Sequence, residues 1–193
     1  DIEQAVKGLL DRRTEALRIR RVRHKLVRDT MAGHDGGTFK RANTVLEPFS
    51  SDPACRALVL FDRAWDGAPS NDAKCLAADV EKRLAPTWGD RARCVVLDPE
   101  IEVWVFSDSP HVDKTLGFAE GQLRPWLRDR GLWTDGQPKP SDPKEAYRQA
   151  LRQSGTKLSA ALFHELASKV GLERCTDPSF RSFVETLRTW FPP

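Results

Sequence analysis

Two short apolar runs constrain this chain more than any other feature. Arg56–Asp62 (RALVLFD) and Cys94–Asp98 (CVVLD) are almost uninterrupted in aliphatic and aromatic residues, and each ends in an aspartate. Runs that short and that continuous read as strands buried on both faces, the habit of parallel sheets. Parallel strands cannot be joined by a tight turn and need a crossover, usually a helix. The sequence between the runs supplies one. The loop 63–70 (RAWDGAPS) is broken by Gly67 and Pro69, and a helical pattern starts at Ser70 or Asn71 and continues to about Ala85, with Leu76, Ala77, Val80 and Leu84 inward. Strand, loop, helix and strand predict a right-handed crossover in an α/β protein, a Rossmann-like, mainly parallel sheet flanked by helices. Ligands of such sheets sit at the carboxyl ends of the strands, so the loops after Asp62 and Asp98 are expected to open onto one shared edge.

The rest of the chain is arranged around that unit. Asp1–Arg13 sets Ile2, Ala5, Val6, Leu9 and Leu10 at helical spacing. Ala16–Val27 alternates imperfectly among arginines and reads as an exposed or edge strand. Met31–Thr38 (MAGHDGGT) reads as a glycine-rich loop, Phe39–Phe49 as helical, and Glu100–Phe106 as a helix behind Pro99. From Pro110 onward the pattern is helical over Gln122–Arg130, Asp142–Gln153, Lys157–Val170 and Asp177–Trp190. Asp142-Pro143 and Asp177-Pro178 are N-cap-plus-proline starts. The turn-rich stretch 134–141 (TDGQPKPS) divides an α/β domain over 1–133 from a C-terminal helical cap over 142–193. Because the chain enters a helical pattern directly at Asp1, we expect a first strand of the sheet upstream of it.

At 193 residues, 39% hydrophobic and 31% charged, the chain is rich enough in apolar residues to bury a core, which excludes global disorder. No run approaches the ~20 apolar residues that span a bilayer. The first thirty residues carry acids and arginines instead of a signal-peptide core, so the expectation is a cytoplasmic protein with no membrane partner. Cys55, Cys75, Cys94 and Cys175 show neither zinc-ligand nor disulfide spacing and read as buried thiols.

Charge is unevenly placed. Residues 1–41 hold eleven Lys or Arg against six Asp or Glu, and residues 42–193 hold twenty against twenty-two. Arg18, Arg20, Arg21, Arg23, Lys25 and Arg28 fall within eleven positions, a density suited to neutralising the phosphates of DNA or RNA. Charges that keep an edge strand from aggregating give the same pattern.

The acids at the predicted sheet edge carry the chemistry. Asp62 and Asp66 (FDRAWDG) leave the first strand, and Glu100 and Glu102 (DPEIEVW) start the element after the second. Carboxylates gathered there repel unless a cation neutralises them. Hard oxygen ligands with no His or Cys nearby in sequence point to Mg²⁺ or Mn²⁺. Caps at strand ends and helix starts would place acids in the same positions.

The run RALVLFDRAWDGAP, followed some thirty residues later by CVVLDPEIEVWVFSDSP, resembles the Toprim (topoisomerase-primase) fold, and especially its Toprim-like branch in bacterial defence islands. The likeness spans roughly Asp1 to Ser109, with the tail CTDPSFRSFVETLRTWF (175–191) also similar. The resemblance implies a glutamate closing a first strand and a DxD pair closing a later one, together holding Mg²⁺ for phosphodiester chemistry. By that likeness Asp62 is the first Asp of the pair, Glu102 the acid two residues before a tryptophan, and Asp66 a third acidic position. The chain departs from the pattern at Ala64, where the second Asp would stand.

What the resemblance implies is a metal-dependent nuclease-like component of an anti-phage defence system, with Asp62 and Glu102 catalytic and the arginine-rich segment holding the polyanion. A catalytically decayed interaction protein that contributes a surface to other defence-system proteins is the alternative. Among weaker candidates, His34 and Asp35 suit phosphate contact, although the glycine-rich loop is no P-loop. His111 reads as a cap, Trp104 as core, and Trp65 as packed on a helix or stacking on a base.

Overall fold

The computed structural model describes residues 1–29, 31 and 35–193. It has a two-stranded parallel sheet, β1 (Ala57–Asp62) and β2 (Ala92–Leu97), in register from Ala57 opposite Ala92 to Asp62 opposite Leu97. Helix α4 (Ala73–Trp88) makes the crossover. Its N-cap is Asp72, whose carboxylate accepts from the Lys74 N–H, one residue beyond Asn71 and two beyond Ser70, the starts that the sequence suggested. It also continues past Ala85 to the buried Trp88, although Pro86 inside its last turn removes the N–H that the Lys82 carbonyl would otherwise accept.

Alternation along the strands builds two cores. Ala57, Val59 and Phe61, with Ala92, Cys94 and Val96, face α4 and α3 (Asp35–Leu46) through Leu76, Val80, Leu84 and Phe39. Leu58, Leu60 and Val95 face the other way, toward α1 (Ile2–Arg12) and α9 (Pro178–Trp190) through Val6, Leu9, Phe183 and Leu187. Both faces are covered, as the unbroken apolar runs required. A third cluster holds α5 (Pro110–Thr115), α6 (Leu123–Asp129), α7 (Pro143–Ser154) and α8 (Ala160–Lys169) around Tyr147, Leu116 and Leu127. It reaches the sheet through Leu97 and Ile101. The C-terminal helices therefore share cores with the sheet: α8 lies along α1 and α9 against β2.

Four local expectations are corrected. Ala16–Val27 forms no strand. Thr14–Leu17 is a single helical turn (α2), Arg18 at φ 57° ends it in the left-handed region, and Ile19–Asp29 runs on without strand pairing among the described residues. Asp35–Thr38 belongs to α3 and not to a loop, since its glycines are tolerated where Gly36 meets the Trp65 ring: a Cβ there would lie 2.9 Å from Trp65 Nε1. His34 lies outside the described residues. Glu100–Phe106 yields only a 3₁₀ turn over Ile101–Trp104. Of the cysteines, Cys94 and Cys175 are buried, Cys55 is half-buried and Cys75 is exposed beside the Asp72 cap. Among the described residues no helix is long and apolar enough to cross a membrane.

Candidate functional site

The carboxyl end of β1 is built by three elements that meet there. Arg63 donates its N–H to the Leu97 carbonyl and Ala64 to that of Pro99, which carries the β1–β2 pairing one step beyond the strands. The Asp62 N–H therefore points to the opposite edge, where Asp35, the first residue of α3, accepts it at 2.9 Å through Oδ1. On the other side the 3₁₀ turn brings Glu102 into the interior, 6% exposed, with Glu100 half-buried at its start.

Asp62 is the centre of this group. Its Oδ1 is buried with no hydrogen-bond partner among the described residues. Burial, then the nearby carboxylates of Asp35, Glu102 and Glu100, push its pKa up to about 8, against an opposing bond from the Ile101 backbone. Glu102 is also raised, by burial first and by Glu100, with Lys144 and Arg148 pulling the other way. Glu100 is the one member with a full countercharge, an ion pair with Lys144 of α7. That hydrogen bond holds the Lys144 ammonium above its ordinary range.

Of the acids expected at this edge, the structure gathers Asp62, Glu100 and Glu102 and leaves Asp66 out. Asp66 is exposed in the 63–70 loop and is not among the charges that act on Asp62. Asp98, expected to open onto the same edge, pairs with Arg63. Asp35 and Lys144 are the members that the two strand-end motifs do not carry. Asp35 was legible only as an acid beside glycines, and Lys144 only as a base in the first turn of a distant helix.

The basic segment divides. Arg18, Arg20, Arg21, Arg23 and Lys25 are all exposed. Arg18 pairs with Glu173, and the Arg20 guanidinium lies 5.7 Å over the Phe191 ring, so both are turned toward the C-terminal end of the chain. Arg23, Lys25 and Arg28 line one cavity of about 1220 Å³ together with Asp35 and Asp62. Trp65 packs on Phe39 and Phe61, and Trp104 packs on Phe180 and Phe183 with its Nε1 donating to Ser179 at 2.8 Å. Both indoles are half-buried in these clusters.

The donor set is chemically suited to a hard divalent cation: oxygen ligands alone, one of them buried without a partner. As the side chains stand, no three His, Cys, Asp or Glu among the described residues converge closely enough to hold one. Comparison of the chain with protein families, curated proteins and solved structures finds no match.

Proposed function

We propose that this chain is a Toprim-like, Mg²⁺- or Mn²⁺-dependent nucleic-acid-processing protein of the kind found in prokaryotic anti-phage defence. The observation that carries the reading is the Asp62 carboxyl: buried, short of one partner, set beside Asp35, Glu100 and Glu102, and opening into the cavity that Arg23, Lys25 and Arg28 line. In this reading Asp62 and Glu102, with Asp35 in place of the more distant Asp66, are the ligands. The cation, when bound, polarises a phosphodiester and acidifies a water. Glu102, whose carboxyl burial holds above its ordinary range, is the general base when ionised, and Glu100 stays with Lys144. Arg23 and Lys25 hold the backbone of DNA or RNA by charge, without reading its sequence.

The test is calorimetric titration of Mg²⁺ and Mn²⁺ into the full chain, Asp62→Asn and Asp35→Asn, with cleavage of single- and double-stranded DNA and RNA followed in parallel. Binding that collapses in Asp62→Asn, and nucleic-acid affinity that falls with salt and with Arg23→Glu/Lys25→Glu, are expected. No metal binding by the parent chain would overturn the reading.

One observation favours the interaction-protein alternative. Ala64 stands where a further ligand would be expected, with its N–H already bonded to Pro99, so the loop after β1 offers no second carboxylate close to the strand. Metal binding without cleavage of any substrate would select that alternative.

A further inference from the structure

Among the described residues no strand pairs with the outer edge of β1. Successive backbone groups of a strand point to opposite edges, and Arg63 bonds toward β2 while Asp62 bonds away from it. By that parity Val59 and Phe61 serve β2, and the N–H and C=O groups of Leu58 and Leu60 face outward. Among the described residues nothing bonds them. They open into the 1220 Å³ cavity, whose far wall is the extended segment Val22–Asp29.

The size and lining of the cavity specify an occupant. A strand matching the six residues of β1 is about 20 Å long and occupies about 4.8 Å between neighbours and about 10 Å between layers, roughly 960 Å³. The space is large enough for one such strand. Its two faces are apolar, with Leu46 and Phe49 on the α3 side and Leu10 and Leu187 on the α1–α9 side, so a strand there is buried on both faces, as β1 is. The ends differ in charge. Arg56 precedes β1, and Lys25 lies 4.7 Å over the neighbouring Phe49 ring. At the other end stands the Asp35 carboxylate, which accepts the Asp62 N–H.

We propose that this slot is a strand-addition site. It takes an extended polypeptide segment of about six residues, apolar on both faces, with an acid at the Ala57 end and a base at the Asp62 end, hydrogen-bonded to Leu58 and Leu60. An open edge facing a cavity of one strand's size is otherwise a hazard that proteins cover. The backbone pairing at Leu58 and Leu60 stands whether or not a metal binds at Asp62; a cation held by Asp35 and Asp62 would remove only the preference for a base at that end.

The probe is the capped peptide acetyl-Glu-Val-Val-Thr-Val-Lys-amide, with versions carrying Glu at both ends or Lys at both ends, added in excess to the full chain. In the free chain the Leu58 and Leu60 amides should exchange with solvent faster than those of Val59 and Phe61. The mixed-charge peptide should slow Leu58 and Leu60 by at least about tenfold and bind more tightly than either like-charged version. Leu60→Pro removes the outward N–H and no hydrogen bond to β2, at the cost of the Leu60 side chain on the α1–α9 face, and should abolish binding while β1–β2 pairing survives. Val45→Trp, at a half-buried position of α3 that lines the slot, should do the same. Leu58 and Leu60 amides already as slow as their neighbours in the free chain, or unprotected by any of the three peptides, would overturn the proposal.

Discussion

A carboxyl group that keeps its proton at neutral pH records how its surroundings were assembled. Asp62 lies on the face of β1 shared with Leu58 and Leu60, and the N–H that it donates to Asp35 leaves its own Oδ1 unsatisfied in the interior. With its pKa at about 8 against an ordinary 3.8, the folded chain holds a proton that the unfolded chain releases over that whole interval. Folded proton uptake exceeds unfolded uptake there, so stability is lost as pH rises from about 4 through 8, at most about 1.4 kcal/mol per pH unit for one proton. Asp62→Asn removes that slope. Urea unfolding at a series of pH values should show the variant gaining on the parent between pH about 5 and 8 and no further above it; a difference independent of pH would mean that the group is ionised in the fold. The acids at 62, 100 and 102 were visible in the sequence because each sits beside an apolar run. Asp35 was visible only as an acid beside glycines suited to phosphate contact, because its place in this site comes from a backbone N–H twenty-seven residues away, and no local pattern encodes such a contact.

At the scale of elements, packing decided what periodicity left open. The two strands and their crossover were legible because burial on both faces leaves an unbroken apolar run, and α7 and α9 because Asp142 and Asp177 cap them in front of a proline. The segment after α2 was read as a strand from its alternation, yet across the slot it finds no partner among the described residues, and alternation without a ladder yields only extended chain. Helix α1 shows the converse, a helix whose sequence hides how tightly it docks. Gly8 sits against α8 so closely that an added Cβ would lie 2.7 Å from the His164 carbonyl and 2.9 Å from the Ala167 Cβ. Gly8→Ala, which in an exposed helix would stabilise by up to about 1 kcal/mol, must here push two backbones apart. We expect a loss of about 1–3 kcal/mol in chemical denaturation. A neutral or stabilising result would show that α1 and α8 have room to separate.

For the whole molecule the question is what makes the C-terminal helices part of the fold and not an attachment, and one side chain answers much of it. Lys139 belongs to the turn-rich stretch before α7 that the composition marked as a linker, but it is largely buried. Its ammonium donates to the Val103 carbonyl, in the 3₁₀ turn that carries Glu102, and to Asp177 at 3.0 Å. Asp177 in turn caps α9, accepting from the Ser179 and Phe180 N–H groups and from the Ser179 hydroxyl. The linker thus ties the element holding the site acid to the helix that covers the Leu58–Leu60 face of the sheet. Lys139→Met leaves the Asp177 carboxylate buried without its countercharge and the Val103 carbonyl without this donor, a loss of about 3 kcal/mol or more. Asp177→Asn alone strands the ammonium instead and weakens the cap. If the pair acts as one unit, the double variant should be less destabilised than the sum of the two, by about 1 kcal/mol or more, with a single unfolding transition and an unchanged denaturant slope. Strict additivity would mean that the C-terminal helices hold to the sheet through their apolar faces alone, whereas a second transition in either single variant would mean that this pair is what couples them to the sheet.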